Sequence, residues 1–140
     1  MNSTYNLIIN ASFTDVDRVI GALPDIFKTD QDMLDNISLV LFEILSNALE
    51  HGICKYSKNE IFSGLVKKSS QKIYLYFLSS PNPIILINYP KTVYNEENLI
   101  IGKGKKIIKY LTQNYYYKIL GEEVWEKVIF KGQKNENHRQ

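Results

Sequence analysis

The segment from Met33 to Glu50 limits the possible folds of this chain more than any other. At about 100° per residue, Leu34, Ile37, Leu41, Ile44, Leu45 and Ala48 fall on one broad face. Val40, Phe42 and Leu49 carry apolar character around most of the remaining cylinder. A helix with that pattern is mostly buried and needs a sheet or other helices to cover it. Asp30 or Asp32 can cap its start, and Gly52 sits where a stop belongs. One polar stripe interrupts it, made of Asn36, Glu43, Asn47 and Glu50. Glu43 and Asn47 are i,i+4 neighbours and share a side. Placing a carboxylate and an amide beside an apolar face is costly unless they find partners. The stripe is therefore either a solvated edge or a site. If a site, Asn47 offers a carbonyl oxygen to Mg²⁺, a cation that takes oxygen ligands and brings substrate phosphates with it. Glu43 would then serve as general base or as a ligand to a metal-bound water.

The rest of the chain supplies the layer that this helix needs. With 140 residues, it is long enough for one domain with a real core. Hydrophobic residues at 44% and charged residues at 23% exclude disorder as the overall state. Leu7–Asn10, Ile73–Leu78, Ile84–Asn88, Tyr115–Ile119 and Val124–Phe130 read as strands, the last four as two hairpins. Thr14, with Asp17 three residues on, reads as a capping box that opens a helix through Val19 and Ile20, before Gly21 and Pro24. A further helix is expected from about Lys103 to Thr112, and loops over Tyr56–Gln71, with a short helix near Ile61, and over Lys91–Ile101. The order β-α-α-β-β-α-β-β predicts an α+β fold. It is a two-layer sandwich with a mainly antiparallel, mixed sheet and helices on one face. Residues 1–131 form the domain, and the polar stretch 132–140 reads as a disordered tail.

Charge and cysteine content narrow the function classes. A net charge of +2 is too mild to require a nucleic-acid or membrane partner. No apolar run approaches the ~20 residues of a membrane span, and residues 1–10 lack the pattern of a signal peptide. Cys54 is the only cysteine, so an intrachain disulfide is excluded, and a reduced cytoplasmic protein is expected. His51 has no second histidine at metal spacing, since His138 lies in the tail. The basic, tyrosine-rich stretch Lys105–Lys118 reads as a β-prone strand with alternate core residues rather than as a nucleic-acid platform. Gly102-Lys103-Gly104 precedes a helix. It is either a flexible junction or a place where backbone N–H groups approach a phosphate.

The run Glu43-Ile44-Leu45-Ser46-Asn47-Ala48-Leu49-Glu50-His51-Gly52 resembles the N box of the histidine-kinase-like (GHKL, Bergerat-fold) ATPases. More narrowly, it is similar to the bacterial anti-sigma factor/serine-protein kinase branch, and the resemblance runs from about Leu7 to Lys131. It implies a Bergerat ATP-binding fold with ATP and Mg²⁺ held between helices and sheet. On that resemblance Asn47 binds Mg²⁺, Glu43 is the catalytic base, and Gly102, Lys103 and Gly104 belong to the glycine box that closes over the phosphates. The resemblance also implies a sigma factor and an anti-anti-sigma (STAS-type) protein as partners, phosphorylation of a serine on the latter, and a possible homodimer. Where the family carries Asp-x-Gly-x-Gly for adenine, this chain has Asn88-Tyr89-Pro90-Lys91-Thr92. Asn88 keeps an amide oxygen as acceptor without charge, and Pro90 adds bulk. The alternative function is a non-enzymatic pseudo-ATPase that keeps the fold as a protein-binding module.

Overall fold

In the computed structural model the described residues are 4–53, 71–79, 81–90 and 102–131, with the backbone alone for 51–53 and 102–106. The expected loops over 56–70 and 91–101, Cys54 and the tail 132–140 lie outside them.

Five strands make one sheet: β1 (Thr4–Asn10), β2 (Lys72–Leu78), β3 (Ile84–Pro90), β4 (Asn114–Leu120) and β5 (Glu123–Ile129). Their order is β1-β2-β3-β5-β4 and every pairing is antiparallel, so the mixed sheet expected from the sequence is corrected to a wholly antiparallel one among the described strands. The β-α-α-β-β-α-β-β order is as expected; what the pattern could not give was that no pair of the described strands is parallel. Gly121, at φ 61°, closes the β4–β5 hairpin in the left-handed region that glycine enters without strain.

Strand alternation sorts the side chains into two faces. Ile73, Leu75 and Phe77 on β2, Ile85, Ile87 and Tyr89 on β3, and Val124 and Val128 on β5 are buried on the helical side. Helices α1 (Phe13–Ile26) and α2 (Gln31–Asn47) answer them with Val16, Val19, Leu23, Ile37, Val40, Leu41, Ile44 and Leu45, all in one core. At about 1.5–3 kcal/mol for each fully buried aliphatic side chain, this layer is the main source of stability. Phe27, just past α1, meets the Phe77 ring edge-on at 5.8 Å.

Helix starts are set by side-chain caps. Asp30 caps α2, its Oδ1 accepting the Met33 N–H at 2.8 Å. For α1 the cap is Ser12, whose Oγ accepts the Asp15 N–H at 3.2 Å. The box therefore starts at Ser12 rather than Thr14, because Thr14 already lies inside the first turn. Asp15 reaches back to accept the Asn10 N–H at 2.8 Å and pairs with Arg18 at 3.0 Å, tying β1 to α1. Helix α1 runs through Gly21 and Pro24 to Ile26. Pro24 sits in the last turn, where its missing N–H removes one bond just before the helix ends. Helix α3 (Gly102–Leu111) packs on α2. Among the described residues no helix is long and apolar enough to cross a membrane.

Candidate functional site

The polar stripe of α2 ends at a change in helix geometry. The Ala48 N–H is shared between the Ile44 and Leu45 carbonyls, and residues Ala48–Ile53 continue as a π-helical turn. Such wider turns occur mostly as short insertions and often at functional sites. The expected stop at Gly52 thus falls inside this turn. Asn47 is the last α-helical residue, and it is buried, 8% exposed. Its Nδ2 and the neighbouring Ser46 Oγ have no hydrogen-bond partner among the described residues. Leaving a buried polar group unpaired costs about 1–3 kcal/mol. Glu43, one turn earlier, is partly exposed, and Glu50 is exposed. The amide therefore sits at the boundary between core and surface with its Nδ2 unpaired among the described residues, and a carboxylate stands one turn away. Amide orientation is a choice of hydrogen-bond network, and a half-turn brings the oxygen to the place of the nitrogen.

Gly102, Lys103 and Gly104 are the first residues of α3 rather than a loop before it. Their N–H groups belong to the first turn, which lacks intrahelical acceptors and carries the positive end of the helix dipole. The other end of α3 is placed by Tyr110 and Leu111, which line a shallow hollow with Met33, Asn36 and Lys131 beside the first turns of α2.

Asn88 is separated from the other site residues. It pairs with Tyr74 on one side and Trp125 on the other, which puts it on the sheet face opposite Ile87 and Tyr89. Its Nδ2 donates to the Val124 carbonyl at 3.2 Å. Helix α2, with Glu43 and Asn47, packs on the opposite face. The inward position at this end of β3 belongs to Tyr89, 1% exposed. The two-residue period of Ile85, Ile87 and Tyr89 carried that assignment, and the motif comparison passed over it.

Beneath the helices lies a cluster that the sequence reading did not single out. Glu126 is fully buried on the inner face of β5. The Tyr89 hydroxyl donates to its Oε2, and the Tyr115 hydroxyl donates to its Oε1 at 2.6 Å. Burial pushes the Glu126 carboxyl up to about 7, against the two tyrosine hydrogen bonds, which pull it down. Burial, and then the facing Glu126 charge, push the Tyr89 and Tyr115 hydroxyls well above the usual tyrosine value. The signal for this cluster was present: Glu126 alternates with Val124 and Val128 and so must share their core face. Among the described residues no group of three or more His, Cys, Asp and Glu side chains comes together to hold a metal ion.

No protein-family model matches this chain, and no curated protein matches it.

Proposed function

We propose that this chain is a cytoplasmic regulatory protein of Bergerat fold, similar in action to the anti-sigma factor/serine-protein kinases. It holds ATP–Mg²⁺ where α2 gives way to the π turn and docks a sigma factor and an anti-anti-sigma protein in turn. The observation that carries this reading is Asn47, a buried amide in the Glu43–Gly52 run whose Nδ2 has no partner among the described residues. An oxygen ligand in that place fits Mg²⁺. The first-turn N–H groups of Gly102–Gly104 supply phosphate donors, and Lys103 adds positive charge. When bound, the metal neutralises phosphate charge. Glu43, partly open to solvent, accepts the proton from the attacking hydroxyl.

A specific observation favours the second reading, a non-enzymatic pseudo-ATPase. Tyr89, tied to Glu126, fills the inward position at the end of β3, and Asn88 faces the other side of the sheet. With no charged acceptor from β3, adenine loses a contact worth roughly 1.5–3 kcal/mol, about one to two decades in affinity.

Hydrolysis and binding of ATP by the Glu43→Ala protein test the first reading. It expects turnover to fall by roughly 10²–10⁴-fold with nucleotide affinity retained. Turnover unchanged in Glu43→Ala would remove Glu43 from the chemistry, and absence of nucleotide binding in a folded wild type would leave the pseudo-ATPase.

A further inference from the structure

The helices cover one face of the sheet. On the other, the outward side chains of β2, β3 and β5 belong neither to the core nor to the side chains packed against it. The pairing register shows what this face carries. One row across β2, β3, β5 and β4 is Tyr74, Asn88, Trp125 and Lys118, and the next is Tyr76, Leu86, Lys127 and Tyr116. Four aromatic rings from three strands therefore share one surface. Tyr116 is 53% exposed, and the other three rings are half-buried. No single stretch of sequence shows this cluster. In the tyrosine-rich run of β4 only Tyr116 faces outward, because Tyr115 and Tyr117 pack against the core.

Cations stand among the rings. Lys118 is the direct cross-strand partner of Trp125, and Lys127 that of Tyr116. The Lys127 ammonium sits 5.9 Å from the centre of the Tyr116 ring, so this charge is held over the aromatic face. Lys72, two residues before Tyr74 on β2, adds a third. Against these lysines the outward positions of the described strands hold one carboxylate, Glu123. The face is thus locally basic, although the whole chain carries only +2. Such a surface complements a chain that alternates flat rings with negative charges. A single nucleic-acid strand is that chain: every base offers a π-face and every phosphate an anion. A duplex presents the same phosphates but keeps its bases stacked on one another.

We propose that the open sheet face binds single-stranded nucleic acid, with bases stacked on Tyr74, Tyr76, Trp125 and Tyr116 and phosphates held by Lys72, Lys118 and Lys127. The size fits a short segment. From β2 to β4 is three strand steps, about 14 Å, and the two rows stand about 7 Å apart. Open antiparallel sheets that carry aromatic side chains in this way stack two or three bases. This proposal stands on the sheet and is independent of ATP binding on the helical side.

Trp125 is the only tryptophan of the chain, so its fluorescence reports on this face alone. Oligouridylate and oligothymidylate are titrated into the full chain at low salt, with an oligouridylate–oligoadenylate duplex as the control. The single strands quench Trp125 and the duplex does not. Quenching by both strands supports a face that senses rings and phosphates only; quenching by oligouridylate alone supports it with RNA as the ligand. Tyr76→Ala and Tyr116→Ala, each with a wild-type far-ultraviolet circular dichroism spectrum, weaken binding roughly 5- to 150-fold, the factor that one base–ring stack supplies. Lys118→Ala and Lys127→Ala each make the slope of log affinity against log salt shallower by about 0.7, the share of one phosphate contact on a single strand. Lys28→Ala, just past α1 on the helical side, leaves that slope unchanged. A folded wild type that neither single strand quenches overturns the proposal, whatever protein covers this face. It is also overturned by duplex binding as tight as single-strand binding, by ring variants that bind like wild type, or by a Lys28→Ala slope that shifts as much as the other two.

Discussion

Replacing Glu126 with glutamine removes one ionisable group from the centre of the inner sheet face. The amide has nearly the same shape, and its oxygen and nitrogen can both engage the Tyr89 and Tyr115 hydroxyls. In the wild type the carboxyl is raised from its ordinary value of 4.5 to about 7, with burial as the first cause. The folded state therefore holds this proton more tightly than the unfolded chain does. Its contribution to stability is fully present below pH 4.5, falls as pH rises through the interval, and is gone once pH exceeds about 7. A difference of roughly 2.5 pH units corresponds to about 3 kcal/mol. Urea unfolding of wild type and Glu126→Gln, from acid to mildly alkaline pH, isolates this group because all other titrating residues are shared. The wild type is expected to lose about 3 kcal/mol relative to the variant across that window. Parallel stability curves for the two proteins would refute the burial argument. A wild type that gains stability relative to the variant as pH rises would show that the tyrosine hydrogen bonds outweigh desolvation.

Leu41→Ala, at a fully buried core position of α2, is expected to cost about 2–5 kcal/mol in chemical denaturation with the unfolding slope unchanged. Asp15→Ala removes the acceptor for the Asn10 N–H and the Arg18 partner at the β1–α1 junction, with an expected loss of about 1–3 kcal/mol by the same assay. Asn88→Asp removes the donor to the Val124 carbonyl and should destabilise by about 1–3 kcal/mol. Because residue 88 faces away from α2, the same variant should leave ATP–Mg²⁺ affinity unchanged in a calorimetric titration.

Periodicity located every described element except the π turn, because burial of alternate or every third-to-fourth residue is what forms strands and helices here. The faces were as legible as the elements: Ile85, Ile87 and Tyr89 alternate, as do Val124, Glu126 and Val128. Reading β3 through a motif put the weight on Asn88, one residue out of phase, and a one-residue shift moves a strand side chain to the opposite face. The cap at Ser12 was missed because Ser12 and Thr14 are both good caps and only the position of the first turn decides between them. The π turn carries no comparable pattern: Ala48 to Ile53 continues the apolar run of α2, and its widening is a matter of backbone hydrogen bonds. Glu43 and Asn47 were legible as a pair from their spacing, but the deep burial of Asn47 against the openness of Glu43 depends on the layers around α2.

Calorimetric titration of ATP into the wild type and Asn47→Ala, each with Mg²⁺ and with a chelator, is the most direct measurement of whether the end of α2 is a nucleotide site. The account predicts that the wild type binds ATP more tightly with Mg²⁺ than with chelator, and that Asn47→Ala loses this difference while remaining folded. A wild type whose ATP affinity is indifferent to Mg²⁺, or an Asn47→Ala protein that keeps the full Mg²⁺ dependence, would contradict it.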